Sequence, residues 1–274
     1  MDLYFLASLL LLGAFGGFAA GLLGIGGGMI LVPFMIMLFP MVGMPEAHMV
    51  HTAIATSMGT ILFTSISSMR AHHKRGAIRW DIVAVLAPGI VVGGLLSGGA
   101  VFAYIDPGWL ALVFSLFVAY SGSRMMWGGP PVAGREMPGK VVTGGVGAGI
   151  GFVSGLVGAG GGFLSVPFMV RSNVAIHNAV ATSAALGFFI ALANSVGYIV
   201  SGLSAQTGVP GMVGYIHVPT LLGIVAASML TAPLGAKCAH SLPVVALKRV
   251  FAMLLFALAL YMLYRALIAF GIGA

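Results

Sequence analysis

Two stretches of this chain are nearly the same: residues 21–35 read GLLGIGGGMILVPFM and residues 155–169 read GLVGAGGGFLSVPFM. Each holds three consecutive glycines, Gly26, Gly27 and Gly28 in the first and Gly160, Gly161 and Gly162 in the second, with Pro33 or Pro167 just beyond. Inside an apolar segment such a run interrupts a helix. The helix that restarts after it offers unbonded N–H groups and the positive end of its dipole, which together favour a small anion. The amides concerned are those from Gly26 to Met29 and from Gly160 to Phe163. The competing use of the same glycines is packing, since small residues let membrane helices approach closely.

A second pattern follows each run. Residues 51–57 read HTAIATS and residues 177–183 read HNAVATS. The hydroxyls of Thr56, Ser57, Thr182 and Ser183 could replace water around an oxyanion without adding charge, although membrane Ser and Thr also bond back to their own helix. His51 and His177 are matched groups that titrate near neutral pH, and they are the candidates for proton coupling from two access vestibules; the plainer role is a satisfied structural histidine. Asn178 stands where the first copy has Thr52, so the two half-sites are not chemically identical.

The acids narrow the substrate. They are Asp2, Glu46, Asp81, Asp106 and Glu136, all at or near expected helix ends, and none follows Glu136. Carriers of cations keep carboxylates in the membrane core; here a small anionic substrate fits better. No metal-ligand spacing and no nucleophile triad is present, no cofactor is implied, and the 17 methionines are spread as packing residues. The single Cys238 excludes an internal disulfide.

The elements that hold these residues follow from composition. Of 274 residues, 60% are hydrophobic and 6% charged, with a mean hydropathy of +1.12. Soluble domains carry about a quarter charged residues, so a soluble enzyme, a secreted scaffold and a disordered chain are excluded. The lipid bilayer is the expected partner. The net charge of +7 sits in short loops and reads as a topology signal, not as a nucleic-acid footprint. Asp2 and Tyr4 stand where a signal peptide would carry basic residues, so the N-terminus reads as retained.

A spanning helix needs about 20 apolar residues. Six plain candidates occupy 47–69, 80–104, 108–127, 176–201, 214–236 and 246–269. Segments 3–39 and 139–170 are too long for one span and are broken by the glycine runs. Arg70, Lys74, Arg75 and Arg79 place one loop in the cytoplasm, as do Arg124, Arg135 and Lys140 for the central linker and Lys237, Lys248 and Arg249 for a later loop. The helix carrying Thr56 then runs inward and the one carrying Thr182 runs outward. The expected architecture is therefore an all-α polytopic membrane protein of two inverted repeats, 1–128 and 139–274, joined by a cytoplasmic linker at 129–138. Each repeat has a glycine-broken first helix, re-entrant or discontinuous, followed by three transmembrane helices, and both termini face the periplasm. Matched breaks in inverted halves point to a transporter's central site.

The doubled glycine-run and Val-Pro pattern, with the later HxAxATS, resembles the TauE/SafE family of sulfite exporters over residues 7 to 270 or so. The resemblance implies a transporter of small sulfur-containing oxyanions, such as sulfite or organosulfonates, in the bacterial inner membrane. The alternatives are a channel-like anion facilitator and an intramembrane enzyme built on His51 and His177. The sequence leaves the oligomeric state unknown.

Overall fold

Hydropathy sets where helices form, and the sparse charges set where they stop. The computed structural model describes residues 3–23, 27–128, 134, 136–205, 207–238 and 244–272. The first half runs α1 (Leu3–Leu23), α2 (Gly28–Leu38), α3 (Glu46–Lys74), α4 (Trp80–Leu95) and α5 (Pro107–Trp127). The second half runs α6 (Lys140–Val157), α7 (Gly162–Arg171), α8 (Ile176–Gly202), α9 (Val218–Cys238) and α10 (Val244–Ala269). Among the described residues, seven helices are long and apolar enough to cross a membrane, and α2, α7 and the apolar part of α9 are shorter. The molecule is an all-α polytopic membrane protein.

The helix ends follow the charges. Glu46 opens α3, Asp81 lies in the first turn of α4, and the Asp106 carboxylate caps α5 by accepting from the Gly108 N–H at 2.8 Å. His72, His73 and Lys74 close α3, and Arg124 lies in the last turn of α5. Acids at N-termini and bases at C-termini complement the helix dipole.

Close packing uses small residues. A Cβ on Gly13 or Gly17 of α1 would run into the α9 backbone at Ile224 or Ser228. Gly89 and Gly93 of α4 meet Gly144 and Ala148 of α6, whose Gly147 and Gly151 meet Leu86 and Ile90 in return. These are small-xxx-small contacts. The helix pairs that pack form a pattern: α1 against α9 and α6 against α4, α3 against α9 and α8 against α4, α3 against α8, and α5 against α10. Exchanging α1–α5 for α6–α10 leaves that set of pairs unchanged.

One feature departs from what the sequence leads one to expect. The segment expected to begin a helix at 214 instead forms a hairpin, β1 (Met212–Val213) against β2 (Ile216–His217), and α9 starts at Val218. Tyr215 and Ile216 are buried apolar residues, so hydropathy does not separate them from the helix that follows. Each broken segment joins a long helix to a short one: α1 and α6 have 21 and 18 residues, whereas α2 and α7 have 11 and 10. Most of the 129–138 linker lies outside the described residues.

Candidate functional site at the two glycine breaks

The chain turns sharply after α6 because Gly158 and Gly161 have φ of +62° and +75°, values that favour glycine. Gly161 then caps α7: its carbonyl accepts from Leu164 N at 3.0 Å and Ser165 N at 2.8 Å. Gly27 caps α2 in the same way, accepting from Ile30 N and Leu31 N at 3.0 Å, but with φ −66°. In both helices the first two amides, those of Gly28 and Met29 and of Gly162 and Phe163, precede the first turn's donors and have no partner among the described residues. Gly26 lies outside the described residues.

The two breaks meet. A Cβ on Gly28 would collide with the carbonyl oxygen of Gly158, and Val32 of α2 also packs on Gly158. Gly160 approaches α8 at Gly187, next to Ser65 of α3. The second break is therefore seated between α2, α3 and α8.

The matched hydroxyls are fastenings. Thr56 Oγ1 accepts from the backbone N–H of His217 at 3.1 Å, and Thr182 Oγ1 accepts from that of Arg79 at 3.0 Å. His217 immediately precedes α9 and Arg79 immediately precedes α4, so each threonine pins the start of a helix from the other half. The two serines diverge. Ser57 donates to Ile54 O at 3.0 Å and Gly158 O at 3.3 Å, reaching the opposite break, whereas Ser183 accepts from Ser165 of α7 at 3.0 Å.

The matched histidines diverge further. His51 is buried, its Nε2 is 3.0 Å from Phe102 O, and its ring lies 4.8 Å from Phe102 and 5.2 Å from Tyr215. His177 is exposed at the start of α8. Only one of the pair is therefore exposed. His217, in the hairpin, bonds Thr220 Oγ1 at 2.7 Å, and burial lowers its imidazole from the ordinary value.

The sequence reading missed a polar patch on α6. Ser154 Oγ, Ser97 Oγ and Asn194 Oδ1 are buried with no hydrogen-bond partner among the described residues. Ser97 and Asn194 crowd the place where a Cβ on Gly155 would sit, and the Tyr198 hydroxyl donates to Gly155 O. Ser97 belongs to a π-helical turn, Leu96–Val101, that extends α4; such turns occur frequently at functional sites. No repeated motif marks these residues, and single Ser and Asn codes give no spacing to detect. A separate pocket of about 270 Å³ lies at the ends of α3, α5 and α10, lined by Glu46, Asp106 and Arg265. Arg265 is 3.6 Å from Glu46 there, and the second carboxylate makes this a poor seat for an anion.

Residues 9–262 match the family described as sulfite exporter TauE/SafE. The chain belongs to that family of membrane transporters. A "Probable membrane transporter protein" of Haemophilus influenzae is 36% identical over 261 residues, 94% of this chain and 98% of the relative. A relative of the same description from Methanocaldococcus jannaschii is 27% identical over 86% of each chain. The "Probable membrane transporter protein YdhB" of Bacillus subtilis is 25% identical over 85% of this chain and 89% of its own length. No solved structure matches the chain.

Proposed function

We propose that this TauE/SafE transporter is a secondary carrier that exports a small sulfur-containing oxyanion, such as sulfite or an organosulfonate, across the bacterial inner membrane. The observation that carries the reading is the contact between the two breaks, Gly28 against the Gly158 carbonyl. The start of α2 lies against the turn that ends α6 and leads into α7, and the proposal is that the backbone amides and dipole ends there replace an anion's hydration shell. Helix N-termini attract the anion without a buried cation, and no described acid lies at the breaks to repel it.

The halves are read as inverted on the Lys and Arg distribution, and the packing pairs interchange when the halves are exchanged, as any two-fold arrangement of repeats requires. Alternating access then consists of the halves rocking about the breaks, with α3 and α8 in contact at the centre. Domain limits of 1–128 and 139–274, and termini in the periplasm, follow from the same reading. A reporter fused after Ala274 should behave as periplasmic; cytoplasmic activity would defeat the inversion.

Transport is tested by sulfite flux in proteoliposomes. A carrier saturates with sulfite and is competed by sulfonates, a channel rises in proportion to concentration, and an enzyme converts the substrate. Gly161→Val should abolish flux while the protein still inserts in the membrane. If protons are coupled, the double variant His51→Gln, His177→Gln should flatten the pH profile of flux, and an unchanged profile would leave both histidines structural.

A further inference from the structure

The two breaks offer a direct comparison of what faces each helix cap. A Cβ built on Gly27, the cap of α2, would lie 3.7 Å from the Ala20 methyl. A Cβ built on Gly161, the cap of α7, would lie 3.5 Å from Ser154 Oγ. Ala20 and Ser154 are equivalent in the repeat, each immediately preceding the GLLG or GLVG that leads into the glycines. The positions match and the chemistry does not: the Gly16 carbonyl and the Ala20 methyl lie by the first cap, and the Ile190 and Ile150 side chains and the Ser154 hydroxyl lie by the second.

That hydroxyl is fully buried and has no hydrogen-bond partner among the described residues. Its own backbone carbonyl is occupied, accepting from Gly158 N and Ala159 N at the end of α6. A buried hydroxyl left unbonded costs free energy unless something satisfies it. It sits beside the start of α7, a ten-residue helix whose first amides belong to Gly162 and Phe163. A hydroxyl donor next to helix N-terminal N–H groups is a set that recognises an anion's oxygen. The groups lining the break carry no formal charge: Ile150 and Ile190 are apolar, and Ser57, Ser165 and Ser183 are neutral.

We infer that the oxyanion docks on one half only, at the start of α7, with Ser154 donating to an anion oxygen alongside the Gly162 and Phe163 amides. This rests on the anion-transport reading and sharpens it, because the repeat alone implies two equal half-sites. The site takes one compact oxyanion per chain, and Ser154 sets its affinity.

The test is calorimetric titration of the purified full chain with sulfite and with sulfate, paired with melting curves taken without anion. Wild type should bind one anion per chain. Ser154→Ala should weaken binding by roughly tenfold or more, as for loss of a hydrogen bond to a charged group, while its anion-free melting temperature stays near that of wild type. Ser154→Thr, which keeps the hydroxyl, should restore most of the affinity, and Ala20→Ser should leave it unchanged. If Ser154→Ala does not fold, Ser154→Cys keeps the volume and removes the strong donor, and the same loss is expected. Unchanged affinity in the serine variants, or two equal sites per chain, overturns the inference while leaving anion transport intact. No anion binding by wild type overturns both.

Discussion

Thr56 and Thr182 occupy equivalent places and do the same thing, whereas His51 and His177 occupy equivalent places and do not. Each threonine hydroxyl accepts the N–H that precedes a helix of the other half. One histidine is sealed against Phe102 and Tyr215, and the other faces outward. The same division runs through the breaks: both glycine caps start a short helix, yet Ala20 faces one and Ser154 the other. What the two halves share most faithfully is joinery. Where they differ, the structure leaves polar groups over, and an asymmetric function can be built from those.

The largest effect that could break this comparison lies where the halves touch. Gly28→Val places a side chain against the Gly158 carbonyl, and backbone on both sides cannot yield. A loss of about 3 kcal/mol or more is expected, at the upper end of overpacking costs, seen as aggregation in size-exclusion chromatography. A well-behaved variant would show that the breaks do not meet.

Next come the threonines. Thr56→Val leaves the buried His217 N–H without its acceptor and should cost about 1–3 kcal/mol. At Thr182 the Arg79 N–H is only partly buried, so water can take over and about 1 kcal/mol is expected for Thr182→Val. Melting temperatures in detergent should fall in that order, with serine substitutions recovering both; equal losses would mean the two fastenings are not graded by burial.

Among the histidines, His51→Gln should lower the melting temperature by the equivalent of about 1–3 kcal/mol, since a packed ring and a buried hydrogen bond are lost. His177→Gln should stay within about 0.5 kcal/mol. The smallest effect belongs to the ion pair Arg79–Asp81, 2.6 Å apart with both side chains half exposed. Asp81→Asn should cost about 0.2 kcal/mol and nothing measurable in high salt.

Much of this was legible in the sequence. Apolar runs of spanning length located the helices, and the glycine runs located the breaks, because helix continuity and membrane burial leave few other readings of such residues. The hairpin at 212–217 was not legible, since buried Tyr215 in its turn and Ile216 in its second strand look, by hydropathy, like a helix start. The repeated Thr and Ser were visible as a pattern, but their partners, the N–H groups of His217 and Arg79, are 161 and 103 residues away. Ser97 and Asn194 were invisible for a different reason: they come together only where they meet Gly155 of α6, and nothing in the linear order joins them; Ser154 has a place in the repeat, but its missing partner shows only in the packed structure.

Where the anion sits can be observed directly. Selenite is a heavier analogue of sulfite whose selenium can be located by anomalous scattering in crystals of the protein. A peak is expected at the meeting of the two breaks, beside the amides of Gly162 and Phe163 and the hydroxyl of Ser154. A peak away from both breaks, for example in the Glu46–Arg265 pocket, would contradict it.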